Sequence, residues 1–390
     1  MLALALALAP RAHALTFSVA DISYDNALLS QFNLVTIGNL TQSSAGGAVN
    51  TVAGRAIIGG NATFVGANAS VCGTNCAGNA SLAVDPTGAK FSALTVFGNV
   101  VGTSGTSAFT NTTIGAGDAS VRGSTTGNLN LNSNGALRVA GSAAGTKVLD
   151  ATAIKTTQSS FAGTSSASRS FLGLPYTVAG AAPQVNQTIA SVFPFASTYQ
   201  SEVKQLAQGL ATLPGTPGVS AQRMAGGDSV FFTAANDYTG SNGLKYGVVT
   251  TTMADLAGMT NFRGVDNTGN AATFVIVSGD GANYTLPNLN SYAGANKVIF
   301  DFVDATTLRF AGNWNGSILA PLATISSMGG TLDGSVLVGS INQSQALTAG
   351  NLFAGDLTGL IPEPTSLAVL GAGLAAAALA RRRRPNGHRL

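Results

Sequence analysis

From Phe32 onward, glycine-asparagine pairs separate short segments of the chain. These segments are either apolar throughout or alternate apolar and polar residues. Glycine and asparagine tolerate the positive φ of tight turns, so each pair predicts a turn between short strands. Gly-Asn begins at positions 38, 60, 78, 98, 127, 269, 312 and 350. The first four intervals are 22, 18, 20 and 29 residues, close to the period of stacked repeats that hold two or three strands each. The pattern predicts an all-β-dominated fold, an irregular parallel β-helix, with a β-sandwich or jelly roll as the alternative because the repeat is uneven.

One segment has a helical pattern instead. Between residues 194 and 213, apolar side chains follow one another three or four positions apart, which is the period of one helix face. They are Phe195, Tyr199, Val203, Leu206, Leu210 and Leu213. Pro214 and Gly215 then end the pattern. We expect one long helix that lies along the side of the stacked strands and covers apolar surface.

Strand-like segments return after this helix. Residues 313–326 and 330–342 share the order strand, turn, strand, which predicts two consecutive layers of the stack. In the segment before them, alternation places Asp301 opposite Phe300 and Phe302. This alternation predicts a solvent-exposed Asp301 with no catalytic role.

The N-terminus has the features of a cleaved export signal. A short apolar block, residues 2–9, is followed by Ala12-His13-Ala14. Small residues at the first and third of these positions suit signal peptidase. No basic residue precedes the apolar block, so the signal is an atypical one. The pattern predicts a signal peptide at residues 1–14.

The C-terminus combines a helix breaker, an apolar run and a basic cluster. Two prolines precede the uncharged residues 367–380. The four arginines that follow are Arg381, Arg382, Arg383 and Arg384. This order suits a membrane-inserted tail whose arginines remain on the cytoplasmic side. The run is shorter than the roughly 17 to 25 residues of a full span, so the predicted transmembrane sorting helix, 366–380, includes Ser366.

Residues 361–390 resemble the PEP-CTERM sorting signal of exported Gram-negative proteins. The resemblance rests on the motif Pro362, Glu363, Pro364, on the apolar helix and on the arginine cluster, in the family's order and spacing. It implies that an exosortase, a membrane cysteine-protease-like enzyme, cuts near the motif and releases the protein or transfers it to the cell surface. The chain would be anchored in the inner membrane only transiently.

Charge and composition exclude several classes of function. Once residues 1–14 and the tail beyond the Pro362–Pro364 motif are removed, 13 basic residues face 16 acidic ones, and the formal charge changes from +3 to about −3. A nucleic-acid partner therefore lacks the basic surface it needs. Both histidines, His13 and His388, lie in these segments, and the only glutamates are Glu202 and Glu363. The commonest general base and zinc ligand are thus missing, so we predict a protein without enzymatic activity, catalytic residues, cofactor or metal.

Cys72 and Cys76 are the only cysteines. In an exported protein, two thiols four positions apart favour one local disulfide that closes a small loop. A metal site would need further ligands that a chain without histidine does not offer.

The body of the chain, predicted as one domain at 15–358, resembles the choice-of-anchor A family of extracellular domains. Four segments carry the resemblance: Phe32 to Val35 with Gly38, Val52 to Asn61, Asn315 to Pro321, and Leu332 to Leu337. A more distant likeness to bacterial ice-binding β-helix proteins supports the fold and the flanking helix. A regular ladder of threonines, which an ice-binding surface would need, is not evident in Thr250 to Thr252.

These features together predict an exported protein of the cell surface or extracellular matrix. We expect a structural or adhesive role in the exopolysaccharide or biofilm layer, with exosortase and extracellular polysaccharide as partners. A carbohydrate- or ice-binding module is the alternative, and a polysaccharide-cleaving β-helix enzyme is less favoured. The nine Asn-x-Ser/Thr sequons, Asn39 and Asn61 among them, are too close to the number expected by chance to predict glycosylation.

Overall fold

The structure, a computed structural model, describes residues 19–360 except for short internal segments. These segments are 44–49, 66–68, 73–90, 103–110, 115–116, 132–134, 172–173, 188–195, 214, 218–228, 234–237, 260 and 343–345. Short strands dominate the described part of the chain.

Helices are few in the described residues. The α-helices are α1 (Val19–Gln31), α2 (Ala196–Leu210) and α3 (Met253–Ala257), and two 3-10 turns lie at Ala295–Lys297 and Thr358–Leu360. The strands before α2 are β1 (Phe32–Thr36), β2 (Leu40–Ser43), β3 (Asn50–Val52), β4 (Arg55–Ile58), β5 (Ala62–Val65), β6 (Ala69–Val71), β7 (Leu94–Val96), β8 (Val100–Gly102), β9 (Asn111–Ile114), β10 (Ala119–Val121), β11 (Thr125–Asn130), β12 (Ala136–Val139), β13 (Thr146–Leu149), β14 (Ala153–Thr156), β15 (Thr164–Phe171), β16 (Leu174–Ala179) and β17 (Pro183–Gln184). Those after it are β18 (Thr216–Pro217), β19 (Ser229–Thr233), β20 (Tyr238–Thr239), β21 (Lys245–Thr252), β22 (Asn261–Asp266), β23 (Ala272–Ser278), β24 (Val298–Phe302), β25 (Thr307–Phe310), β26 (Trp314–Asn315), β27 (Ser317–Met328), β28 (Leu332–Asp333), β29 (Val336–Asn342) and β30 (Leu347–Thr348).

Most strands pair in parallel and form three ladders, named here faces A, B and C. Face A has the order β18, β21, β23, β24, β27, β29, β1, β4, β7, β10, β12, β14, β17. Face B has the order β25, β27, β29, β2, β5, β8, β11. Face C has the order β26, β28, β30, β3, β6, β9, β11, β13, β15. Among described pairs, only β15 with β16 and β20 with β21 are antiparallel, and β19 pairs with β22 in a separate small sheet.

The order of layers in the stack differs from the order of the sequence. Strand β1 lies between β29, from the end of the domain, and β4, the next face A strand along the chain. Leu34 is in register with both Val336 and Ala56. The chain therefore begins its first layer in the middle of the stack, against its last one. The two segments predicted as consecutive layers do lie side by side, because Ile318 pairs in parallel with Val336.

The space between the three faces is filled by apolar side chains from successive layers. Leu34, Ile58, Leu94, Val121 and Phe300 are all fully buried there. Each contributes about 1.5 to 3 kcal/mol of favourable burial. Because alternate residues of a strand point to opposite sides, the intervening residues of each strand face outward.

A second core lies between the two long helices and the outer side of face A. Tyr199, Val203 and Leu206 of α2 are buried against outward-facing residues such as Val35 and Leu319. The hydroxyl of Tyr199 donates to the Thr36 carbonyl at 3.0 Å. The amphipathic segment predicted at 194–213 thus forms a helix at 196–210 that covers apolar surface, as expected. Helix α1 was not predicted, because its apolar residues form no clear stripe.

The predicted exposure of Asp301 was wrong. The alternation of side chains along the strand did give the correct side of the sheet for Asp301. Phe300 and Phe302 lie in the inner core, and Asp301 pairs with Leu319 on the helix-covered side. The residue is fully buried, and neither carboxylate oxygen has a hydrogen-bond partner. Burial raises the pKa of Asp301 well above its usual value, and the nearby Asp304 raises it further. Alternation alone could not show that other elements cover this side of the sheet.

Candidate functional site

A ladder of side-chain hydrogen bonds runs along the corner between faces A and B. In each layer a backbone N–H donates to the side-chain oxygen of the residue below it. Asn61 donates to Oδ1 of Asn39 at 2.8 Å, Asn99 to Oδ1 of Asn61 at 2.8 Å, and Ser124 to Oδ1 of Asn99 at 2.7 Å. The ladder continues to Ser340 at one end (3.1 Å) and Ser142 at the other (3.1 Å). We call Ser340, Asn39, Asn61, Asn99, Ser124 and Ser142 the corner ladder.

A glycine precedes each of the ladder residues and forms a backbone ladder of its own. Gly60 N–H donates to the Gly38 carbonyl at 2.7 Å, Gly98 to Gly60 at 2.9 Å, and Gly123 to Gly98 at 3.0 Å. A Cβ added to Gly98 would lie 2.5 Å from both the Gly60 carbonyl oxygen and Oδ1 of Asn61. None of these glycines has a positive φ. Glycine is therefore required here by the close approach of successive layers, and not by the left-handed conformation that the sequence suggested.

Two positions beyond each ladder residue except Ser142, a second line of small side chains points outward from face B. Asn342, Thr41, Thr63, Val101 and Thr126 are in register on neighbouring strands. Each is half-buried or exposed, whereas the residues between the two lines, such as Leu40 and Val100, are buried. We call these five residues the outer row.

The two lines form a grid without charged side chains. Neighbouring strands are about 4.8 Å apart, and residues two positions apart on a strand are about 6.6 Å apart. Helix α2 covers the outer side of face A, but Asn61, Asn99 and Thr126 on this grid are exposed. The grid therefore offers hydroxyl and amide groups to solvent at regular intervals.

One family model covers most of the chain. The model described as "Putative Ice-binding-like adhesive domain" matches residues 25–348, most of the described stack. The chain belongs to this family. The adhesive domain thus contains both the corner ladder and the outer row. No curated protein and no solved structure matches the chain.

The segment that follows the adhesive domain matches a second family model, the PEP-CTERM protein-sorting motif, at residues 360–384. This motif marks an exported protein that is processed by an exosortase and is transiently anchored in the membrane. The likeness to the choice-of-anchor A family is not shown by these two matches and stays a prediction.

The predicted sorting residues lie outside the described part of the adhesive-domain protein. This holds for Pro362, Glu363, Pro364, the arginine cluster Arg381 to Arg384, the tail helix 366–380 and the signal peptide 1–14. Among the residues from 19 to 360 that are described, no helix is long and apolar enough to cross a membrane. The division into segments 1–14, 15–358 and 361–390 stays a prediction.

Only one of the two cysteines of the predicted disulfide lies in the described part of the chain. Cys72 is fully buried and disulfide-bonded. Cys76 is the only other cysteine of the sequence and lies outside the described residues. The pairing of Cys72 with Cys76 therefore stays a prediction.

Asp280 and Asp301 lie in different environments and form no catalytic pair. Asp280 is exposed and accepts hydrogen bonds from the Thr306 backbone N–H at 3.1 Å and from its hydroxyl at 3.0 Å. These bonds lower the pKa of Asp280, whereas the pKa of the buried Asp301 is raised. Within the described residues, no three His, Cys, Asp or Glu side chains are arranged to hold a metal ion.

The corner ladder was missed because its members are far apart in sequence. Gly-Asn-Leu-Thr at 38–41, Gly-Asn-Ala-Thr at 60–63, Gly-Asn-Val-Val at 98–101 and Gly-Ser-Thr-Thr at 123–126 are equivalent positions of neighbouring layers. The Gly-Asn pair at Gly78 obscures this pattern in the sequence, because it is not part of the ladder. Gly98 bonds directly to Gly60, so the layer between them is 38 residues long. Allowing serine in place of asparagine, and insertions between layers, would have found the pattern. The sequons at Asn39 and Asn61 are a by-product of it.

Substitution of a ladder asparagine tests the energetic role of these bonds. Asn61→Ala leaves the Asn99 N–H without its acceptor, and we expect a loss of about 1 kcal/mol in the free energy of unfolding. Asn128→Ala is the matched control, because Asn128 is half-buried on β11 and lies outside the ladder; its effect should be below about 0.5 kcal/mol. Urea unfolding of both variants measures the difference. Equal effects would contradict a stabilising ladder.

Proposed function

We propose that the chain is a non-enzymatic, exported adhesive protein of the cell surface or extracellular matrix. In this proposal its body is an irregular parallel β-helix with α2 on its flank, and face B is the adhesive surface. Family membership supports an adhesive domain, and the sorting motif supports export. The parallel pairing of successive layers on three faces supports the β-helix over the sandwich alternative, because sandwiches are built from antiparallel sheets.

The observation that carries the proposal is the regular grid on face B. A polymer with repeating hydroxyl groups can meet a surface with repeating hydroxyl and amide groups through many equivalent weak contacts. Such contacts combine into strong binding when the spacing allows simultaneous engagement. The outer row has no charge, so neutral or weakly charged polysaccharide is favoured over nucleic acid or a strongly charged polymer. Extracellular polysaccharide of the host's own matrix is the ligand we propose.

A bulky side chain in the outer row tests the role of this surface. Thr63→Tyr places an aromatic ring in the middle of the grid, and we expect cell adhesion and matrix retention to fall about tenfold because contacts on both sides are lost. Thr51→Tyr is the matched control, since Thr51 is a half-buried threonine on face C. A deletion strain complemented with each variant provides the assay. Equal adhesion with Thr63→Tyr and wild type would contradict the proposal, as would an unchanged matrix in the deletion strain.

Ice binding is the second candidate, and the same grid favours it. The outer row supplies three threonines and a valine at regular spacing, which the sequence did not show. Thermal hysteresis of the purified protein would be expected to disappear in Thr63→Tyr and to persist in Thr51→Tyr. Absence of hysteresis in the wild-type protein would exclude this candidate.

The sorting motif gives a prediction of its own. Changing Pro362 and Glu363 to alanine should abolish recognition by exosortase and leave a longer, membrane-retained form of the protein. Immunoblots of membrane and medium fractions distinguish the two forms. Normal processing of the double variant would contradict the exosortase assignment.

A further inference from the structure

The last described residues, 351–360, cross the outer side of the stack as a strap. Nδ2 of Asn351 donates to Oδ2 of Asp333 at 2.7 Å, and the Phe353 N–H donates to the Ser335 hydroxyl at 3.1 Å. The strap then leaves the last layer and runs toward β21, away from the layers that carry most of the corner ladder. On the way the Asp356 N–H donates to the Ala271 carbonyl at 3.3 Å. We call residues 351–360 the C-terminal strap.

The far end of the strap is both hydrogen-bonded and buried. The Gly359 N–H donates to the hydroxyl of Tyr246 at 3.0 Å, and the Gly359 carbonyl accepts from the Ser241 N–H at 3.0 Å. Leu357 and Leu360 are fully buried in the core shared with α1 and α2. A Cβ added to Gly359 would lie 2.6 Å from the Tyr246 hydroxyl, so the backbone of the strap is packed directly on the domain. Burial raises the pKa of Tyr246 to about 12.

The sorting motif follows the strap almost immediately. Only Ile361 separates the buried Leu360 from Pro362. Proteases bind their substrates as extended strands, through main-chain hydrogen bonds on both sides of the cleaved bond. The residues upstream of the motif are not available in that form, because Thr358–Leu360 is a 3-10 turn and its backbone groups are bonded within the domain.

We propose that the C-terminal strap controls processing of the sorting motif, so that exosortase acts on a state in which the strap has left the folded domain. This inference rests on the exosortase assignment made above. When opening is fast relative to cleavage, the rate of cleavage follows the population of the open form. The strap thereby couples release from the membrane to a local unfolding equilibrium of residues 357–360. It also requires that the mature protein keep the strap, because the strap belongs to the helix-covered core.

The decisive experiment inserts a flexible Gly/Ser linker of about 12 residues between Leu360 and Ile361. The linker frees the motif without altering any contact of the strap. In pulse-chase labelling of the host, we expect processing of the linker variant to be about tenfold faster than that of wild type. Leu360→Ala should also accelerate processing, because it weakens strap docking. A wild-type rate equal to that of the linker variant would overturn the proposal.

A second readout tests the docking of the strap in a way that does not depend on which host enzyme processes the protein. The full-length protein in detergent is exposed to a low concentration of a non-specific protease, and cleavage between residues 361 and 366, outside the inserted linker, is followed by mass spectrometry. The linker variant should be cut about tenfold faster than wild type, while both keep the same melting temperature. Equal cutting rates would overturn the strap proposal even if exosortase processes the protein. If exosortase is the wrong enzyme, Pro362→Ala with Glu363→Ala will be processed normally in cells, while the difference in protease cutting remains.

Discussion

Gly98→Ala is expected to destabilise the protein by about 3 kcal/mol, through overpacking between layers. The new methyl group would lie 2.5 Å from the Gly60 carbonyl oxygen and from Oδ1 of Asn61. Neither atom can move freely, since Asn61 accepts the Asn99 N–H and Gly60 accepts the Gly98 N–H. The added atom therefore forces two successive layers apart. Chemical denaturation of the purified protein measures the loss.

Gly258→Ala serves as the control for this substitution. Gly258 follows α3 with φ −74°, and its added Cβ would be no closer than 3.3 Å to another atom. Alanine is compatible with that conformation and also reduces the entropy of the unfolded chain. We expect a change within about 0.5 kcal/mol. A similar effect of both substitutions would show that Gly98 is not the point of close approach that the backbone ladder indicates.

Asp301→Asn is expected to change how stability depends on pH. Above the ordinary aspartate pKa of 3.8, the unfolded chain releases the Asp301 proton, whereas the folded protein retains it because burial raises the pKa. The folded state then binds one proton more than the unfolded state, so wild-type stability falls as pH rises from about 4 to the raised folded pKa. For one proton the slope is about 1.4 kcal/mol per pH unit. Asparagine does not titrate and should remove this slope.

Urea unfolding between pH 4 and pH 7 measures the difference between wild type and Asp301→Asn. Asp280→Asn is the control, because Asp280 is an exposed aspartate whose pKa is lowered by Thr306. Its contribution to stability is present above the unfolded pKa and is lost as pH falls, so its slope has the opposite sign. Parallel pH profiles for wild type and Asp301→Asn would contradict the burial of this carboxyl group.

The local structure of the stack could be predicted from the sequence to a large extent. Gly-Asn pairs at 38, 60 and 98 do mark the corners where one short strand gives way to the next. The apolar stripe of α2 predicted both the helix and the face that it buries, since a spacing of three and four residues has one structural interpretation. Such features depend on residues that are close in the sequence, so the period of the apolar positions is enough to predict them.

Features that depend on which layers meet could not be predicted in the same way. Nothing local indicates that β1 lies against β29, or that Asn61 accepts from Asn99 across 38 residues. For the same reason, alternation gave the correct side of the sheet for Asp301 but not its burial. The outer row is a product of this stacking. Its threonines are isolated in the sequence and form a line only in the folded chain.

We place the contact surface for extracellular polysaccharide on face B of the adhesive domain. Hydroxyl-radical footprinting of the purified protein, with and without polysaccharide isolated from its host's matrix, provides the test. We predict protection of peptides containing Thr41, Thr63, Val101 and Thr126, with no change at Thr51 on face C. Binding with protection confined to another face, or no protection at any concentration of the polysaccharide, would contradict the claim.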